Sequence, residues 1–353
     1  MTFSTFKNIK LAGISTVVPR KEIDLRDDKL LYDGDERRIK RVINSSGFLK
    51  RRVSEIDVTT SDLCLFAAID LLKNLNINHE DIDALIFLSY TPDFLMPATS
   101  YVLHKKLRLS QNCIVMDIPQ ACSGYEIGLF QASMLINAGC KKVLMLVGDT
   151  FSKFSDMFNN HTAPVFGDAG SASLIEFDDA AAPVYFNIHS DGNGYDALIC
   201  KKGGFRNAPK SSDFYDDGSY KYDAKMDGGR IFDFTSNFIA PSIEDILIQS
   251  GIKHENVDYF VLHQANKLIL QDITRKLHVD SSKVPLTTLS KYGNQCGASV
   301  PCTISDTLKE EISHKKLKLL LSGFGAGLSW ANAIIETNNI YCSGILEYGV
   351  ENK

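Results

Sequence analysis

The segment Ile77-Asn-His-Glu-Asp-Ile-Asp83, running on into Ala84-Leu-Ile-Phe-Leu88, has a second copy later in the chain. It reads Ile252-Lys-His-Glu-Asn-Val-Asp258 and runs on into Tyr259-Phe-Val-Leu-His263. The offset is 175 residues, about half of the 353-residue chain. At the same offset Lys141-Lys-Val-Leu-Met-Leu-Val-Gly148 lies over Lys316-Leu-Lys-Leu-Leu-Leu-Ser-Gly323. Two separate matches at one offset identify an internal duplication. Two copies with so long a period are two fused, pseudo-equivalent halves, 1–178 and 179–353, and not a solenoid.

Each half has the same grammar. Helical patterning over Ser61 to Asn74, and again over Ile231 to Ser250, precedes a short apolar strand at Ala84 to Ser89 and Tyr259 to Leu262. A second helix and strand follow: Tyr101 to Leu107 then Cys113 to Ile118, and Lys267 to Leu277 then Val284 to Pro285. The first half adds a helix over Ser123 to Ala138. A third strand (Val143 to Val147; Leu317 to Leu321) and a last one (Ser171 to Phe177; Trp330 to Glu336) close each half. Short, continuously apolar strands alternating with helices predict an α/β fold with sheets buried on both faces. Lys201 to Arg230 breaks the pattern, being rich in Gly, Asp, Lys and Tyr, and reads as a surface excursion or lid.

Composition is that of a globular chain, 44% hydrophobic and 23% charged with a formal net charge of -5. No Lys/Arg block is long enough to track a phosphate backbone, which argues against nucleic acid. Met1 to Lys10 lacks the apolar core of a signal peptide. The charge-free stretch Leu319 to Ile335 is broken by Gly323, Gly325 and Gly327, so it reads as strand, tight turn, strand and not as a membrane span. The eight cysteines are scattered with no Cys-x-x-Cys pair, so neither a disulfide framework nor a zinc site is expected. Together these suggest a reducing cytoplasm, with one thiol set apart and seven that pack.

A duplicated scaffold makes differences between its halves informative. Cys122 stands at the predicted start of the Ser123 helix, where the dipole and unpaired N–H groups favour a thiolate. At the offset of 175 the second half has Gly297. Conversely, His263 ends a strand where the first half has Leu88. Asn294 lies in the turn Tyr292-Gly-Asn-Gln-Cys-Gly297, and Gly323-Phe-Gly-Ala-Gly327 bares its backbone N–H groups. Singly, each has an ordinary structural explanation: packing, a satisfied core histidine, a turn asparagine. The glycine loop lacks the spacing of a phosphate cradle. As a set, residue types alone also permit a Cys-His-Asn hydrolase.

At these residues the chain resembles the type III β-ketoacyl-acyl-carrier-protein synthases of the thiolase-fold superfamily. The matching segments are Asp117-Ile-Pro-Gln-Ala-Cys122-Ser-Gly, Phe166-Gly-Asp-Ala-Gly170, His263-Gln-Ala-Asn266, Gly293-Asn294 through Ala298-Ser-Val-Pro301, and Gly323-Phe-Gly-Ala-Gly327 with Trp330. They occur in the family's order and span nearly the whole chain, from the opening strand and turn at Gly13 to Pro19. Elongating ketosynthases carry a second histidine where this chain has Asn294. The resemblance implies a five-layered αβαβα fold of two thiolase-like halves, the nucleophile in the first and His and Asn in the second, and a homodimer.

It also implies roles. Cys122 takes an acyl group from a thioester donor, acyl-CoA or acyl-carrier protein. The N–H groups of Cys122 and Ala326 form the oxyanion hole. His263 and Asn294 stabilise the enolate formed when a malonyl thioester, carried by acyl carrier protein, loses CO₂. No metal or organic cofactor is implied. Arg41, Met96 and Asn266 are the expected substrate contacts, with Phe94 beside Met96 in the family's gate segment; Arg275 and Lys276 are expected to serve the carrier. Departures concern the donor. Arg41 and Ser45 stand where the family commonly has a tryptophan and an arginine for the coenzyme A nucleotide, Asn160 replaces another arginine, and Asp233 and Leu268 replace two basic carrier positions. These departures and the excursion suit a specialised relative. An alternative is an acyltransferase of the same fold that passes the Cys-bound group to an amine or hydroxyl without decarboxylation; it has less use for Asn294.

Overall fold

The structure is a computed structural model that describes residues 2–28, 31–154, 162–215, 220, 222 and 224–350. The first half runs β1 (Thr2–Phe6), β2 (Ile9–Val18), β3 (Glu22–Asp24), α1 (Glu36–Ser46), β4 (Lys50–Arg52), α2 (Thr60–Asn74) and β5 (Ala84–Leu88). It continues through α3 (Thr99–Leu107), β6 (Ile114–Ile118), α4 (Gly124–Asn137), β7 (Lys142–Asp149) and β8 (Ala169–Phe177). The second half opens with β9 (Val184–Ser190), β10 (Leu198–Cys200), β11 (Ala224–Met226), α5 (Gly228–Ser250) and β12 (Tyr259–Leu262). After α6 (Lys267–Lys276), α7 (Leu289–Tyr292), α8 (Ser299–Thr303) and α9 (Lys309–Ile312) come β13 (Lys316–Gly325), β14 (Ser329–Asn338) and β15 (Tyr341–Glu347).

Two sheets carry the duplication. One has the order β15-β2-β8-β7-β5-β6 and the other β1-β9-β14-β13-β12. Their shared part is the same: β2 on β8 on β7 on β5 in one, β9 on β14 on β13 on β12 in the other. In each, only the β7–β5 or β13–β12 pair is parallel and the other two contacts are antiparallel. Each sheet also takes a strand from the far end of the chain, β1 joining the second and β15 the first. Every residue of β5 is buried, as are seven of the eight in β7, which is why these strands read as unbroken apolar runs.

Five layers result. The helices α2 and α3 cover the outer face of the first sheet, in a core that includes Leu63, Leu71, Leu85 and Leu144. α5 and α6 cover the outer face of the second, around Ile243, Phe260, Ile269 and Leu320. Between the sheets lie α4 and the run 299–312, in which α8 and α9 are joined by a π turn at Ile304–Leu308. The central core they share unites Leu129 and Ile136 with Val300, Ile304 and Ile312. This layering is the thiolase-like arrangement expected.

Three expectations need correcting. Val284 and Pro285 form no strand, so the second sheet has no counterpart of β6; proline has no N–H to give a ladder. The second central helix at 299–312 went unread, because its first turn contains Pro301 among Ser and Thr. The excursion is shorter than expected: β10 and β11 pair as a ribbon, and Asp227 caps α5 by accepting the Arg230 N–H, so 228–230 are already helix.

Candidate active site

After β6 the chain bends through Pro119-Gln-Ala, and Cys122 stands one residue before Ser123, the N-cap of α4. The glycine loop at the end of β13 closes over it. A Cβ built at Gly325 would lie 2.6 Å from Cys122 Cβ and 2.8 Å from its Sγ, so only glycine fits. Two hydroxyls tie the turn to the loop: Ser123 and Ser329 Oγ are 2.7 Å apart, and Ser329 Oγ donates to Ala326 O at 3.1 Å. Among the described residues the N–H groups of Cys122 and Ala326 donate to no backbone carbonyl.

His263 follows the last residue of β12 and extends its ladder, its N–H donating to Ser322 O at 2.8 Å. The ring is buried at 2% exposure, edge-on to Phe324 with centroids 5.4 Å apart. Nδ1 is 2.7 Å from Ser299 Oγ, the first residue of α8. That oxygen also accepts the Gln264 N–H at 3.4 Å, which keeps Ser299 beside the ring, where its hydroxyl selects the tautomer.

Asn294 is pinned by its backbone: its N–H donates to Val165 O at 2.9 Å and its carbonyl accepts from Gly167 N–H at 3.0 Å. Its side-chain Oδ1 accepts the Cys296 N–H at 2.9 Å. The amide is thereby oriented, with Nδ2 as its free donor end.

The electrostatics favour a thiolate at Cys122, whose thiol is held well below the usual range. The largest cause is the Cys296 thiol facing the same sulfur; burial opposes it, and the His263 ring and the Ala326 N–H add to it. Cys296 moves the other way, raised by burial and then by Cys122. The helix start expected at Cys122 is present, and groups of the second half, Cys296, His263 and the Ala326 N–H, add to it. Nearby, burial pushes Asp149 up to about 8 even though it accepts from Tyr90 N–H at 2.8 Å and Ser89 Oγ at 3.0 Å. Glu126, on the first turn of α4, is raised well above the carboxylate range by burial.

Cys122 and Cys296 open into a cavity of about 430 Å³ whose apolar walls include Tyr90, Phe151, Phe154 and Phe166. Leu198, Ile199 and Cys200 of β10 also line it, and from the excursion Ala224 of β11 does so. A second cavity, of about 660 Å³, shares Tyr90, Phe154 and Cys200 with it and runs under Pro209, Phe214 and Tyr222.

The structure thus gathers Cys122, Ala326 and Cys296 around one cavity, with the His263 ring at the Cys122 sulfur and Asn294 bonded to Cys296. The other expected contacts lie apart. Arg41 is exposed on α1, and Met96 is 87% exposed in the loop before α3. Asn266 spends its side-chain oxygen capping α6, accepting the Ile269 N–H at 2.9 Å. Arg275 and Lys276 both pair with Asp272, at 2.6 and 2.9 Å, so their charge is half neutralised. Asn160 lies outside the described residues. Cys296 and Cys200 were expected only to pack, yet both reach the cavity; Ser299 was also missed. For Cys296 a signal was available: at the offset of 175 it is the partner of Ala121, next to the nucleophile.

Comparison with known proteins gives the same picture. The family described as 3-oxoacyl-[acyl-carrier-protein] synthase III matches residues 116–192, and that of its C-terminal part matches 247–337. A Campylobacter jejuni protein named for 3-oxoacyl-[acyl-carrier-protein] synthase 3 is 36% identical, covering 98% of this chain and 99% of its own. A Streptococcus mutans β-ketoacyl-[acyl-carrier-protein] synthase III is 32% identical over 95% of this chain and 100% of its own. The crystal structure of a Burkholderia xenovorans 3-oxoacyl-(acyl-carrier-protein) synthase superimposes with a TM-score of 0.92 at 34% identity, covering 98% of this chain and 99% of the other. Among the described residues no helix is long and apolar enough to cross a membrane, and no group of His, Cys, Asp or Glu is placed to hold a metal ion.

Proposed function

The chain belongs to the 3-oxoacyl-[acyl-carrier-protein] synthase III family, and on that premise we propose how its own residues perform the family's reaction. The reaction is acyl transfer to an active-site cysteine followed by decarboxylative condensation with malonyl-acyl carrier protein, giving a β-ketoacyl thioester.

Cys122 is the nucleophile. Its thiolate attacks the acyl thioester carbonyl, the oxyanion settles on the N–H groups of Cys122 and Ala326, and collapse breaks the thioester C–S bond and expels the donor as its thiolate. One such donor contributes roughly 3 kcal/mol. When the malonyl thioester enters, the bond to its carboxylate breaks and CO₂ departs. The electron pair passes to the thioester oxygen, which accepts hydrogen bonds from His263 Nε2 and Asn294 Nδ2. The enolate carbon then attacks the acyl-Cys122 carbonyl, and collapse expels the Cys122 thiolate. A pair of hydrogen-bond donors suits this step better than a base that activates water.

The observation that carries the reading is the fixed polarity of Asn294: with Oδ1 held by the Cys296 N–H, the amide can only offer a donor. A passing acyltransferase or a hydrolase needs no such donor pair for an enolate. We further read the molecule as a homodimer, supported by Phe94, Leu95 and Met96, exposed at 57, 83 and 87% beside the second cavity. A cytoplasmic location is supported by eight free cysteines. Arg37, Arg38, Lys40 and Arg41 on the exposed side of α1 support docking of an acidic carrier there. The test is a panel of acyl-CoA and acyl-carrier donors with malonyl-carrier protein. Intact mass reads the acyl-enzyme, and product analysis reads CO₂ and β-ketoacyl thioester. Acyl-Cys122 that discharges only to amines or alcohols would establish the alternative.

A further inference from the structure

Cys296 stands where no packing argument alone would put a thiol. It occupies the left-handed region, φ 50°, a conformation that costs a side-chain-bearing residue about 1 kcal/mol. The turn is held there by the Asn294 Oδ1 bond to its N–H. It is 1% exposed, in a small buried cluster with Ala121, Cys122, Phe151 and Phe166, and its sulfur shares the cavity wall with that of Cys122. Cys122 and Cys296 supply the two thiols of that cluster, and both line the same cavity.

We propose that Cys296 is a positioning residue for the nucleophile: its S–H donates to the Cys122 sulfur and holds it as the anion that attacks the acyl donor. The proposal rests on Cys122 being the nucleophile and goes beyond that reading by assigning a second thiol to the step. A thiol is a weak donor to neutral acceptors, but a bond to a buried anion is charge-assisted and strengthened by the low dielectric. No bond is made or broken at Cys296, and its proton stays on its own sulfur. Once Cys122 carries the acyl group its sulfur is neutral and the bond loses its charge. The contact therefore acts on acylation, and on the collapse that returns the thiolate, but not on decarboxylation.

Other titratable groups facing this pair are His263 after β12, Tyr90 after β5, Asp149 at the end of β7 and Asp168 before β8. All remain when only Cys296 is changed. The test is the pH dependence of iodoacetamide alkylation of Cys122 in the free enzyme, followed by peptide mass spectrometry, in wild type, Cys296→Ala and Cys296→Ser. No thioester is needed, so the result stands even if the condensation reading fails. Cys296→Ala should move the alkylation midpoint up by about one pH unit, roughly a tenfold loss of rate at neutral pH. Cys296→Ser, which keeps an O–H donor, should recover most of it. A midpoint unchanged in Cys296→Ala overturns the proposal. So does an equal shift in both variants, which would mark an effect of shape and not of the donor.

Discussion

Ala121-Cys122-Ser123-Gly124 and Cys296-Gly297-Ala298-Ser299 are one turn built twice, each delivering the chain into a central helix. The starts of those helices, Gly124 and Ser299, are 175 residues apart, as are the starts of β2 and β9. The two turns meet, and where they touch they cannot be alike. A Cβ at Gly297 would lie 2.6 Å from Ala121 O and 2.8 Å from Val147 Cγ1. One turn therefore carries a side chain at its second position and the other must be bare. The second turn is bare at 297 because the first turn and β7 fill that space, and on either side of it the turn carries a thiol at 296 and a hydroxyl at 299.

The largest effect that could break this division of labour is at Cys122. Cys122→Ala should lower acylation and condensation by roughly 10⁴-fold or more, with no acyl mass on the protein. An acyl group found on Cys296 of that variant would show that either turn can supply the nucleophile. Next comes Asn294→Ala, expected to cut condensation by about 10²–10³-fold through the lost enolate donor, while single-turnover acylation changes far less. Equal losses in both half-reactions would dissolve the separation between the halves. Gly297→Ala tests the packing argument directly. Overpacking against Ala121 O should cost about 1–3 kcal/mol, read as a lower urea midpoint at unchanged m-value. A neutral result would mean the turns can part, and that glycine there has another cause.

Much of this was legible in the sequence because the duplicated parts are also the most regular. Ala84–Leu88 is a wholly buried apolar strand, and Tyr259–Leu262 is buried beyond its first residue. Cys122 and His263 stood out as departures from a repeat, and Asn294 as a residue of the turn after Gly293. What stayed hidden depends on packing between the halves. The run 299–312 fills the place of α4, but Pro301 and its Ser and Thr neighbours blur the helical period, and tertiary burial decides the outcome. Arg275 and Lys276 looked free because Asp272 precedes them by a helical turn and its pairing is set by rotamers. Cys296 looked like any core cysteine because the offset that sets it opposite Ala121 does not show which side chains enter the cavity.

The smallest effect sharpens the comparison most, because it concerns the hydroxyl that replaces Gly124 in the second turn. Ser299 Oγ is 2.7 Å from His263 Nδ1, and Thr303 Oγ1 holds the Ser299 carbonyl at 2.8 Å. In Ser299→Ala the imidazole keeps its edge contact with Phe324 but loses the group that selects its tautomer. A neutral hydrogen bond of this kind contributes about 1 kcal/mol, so decarboxylation should slow by about fivefold. Because Ser299 touches no substrate, KM for the malonyl thioester should hold while kcat falls. Ser299→Thr keeps the hydroxyl and should recover the rate where its methyl is tolerated. If Ser299→Ala leaves kcat unchanged, Phe324 and the backbone bond to Ser322 suffice to orient the ring, and the second turn contributes its thiol alone.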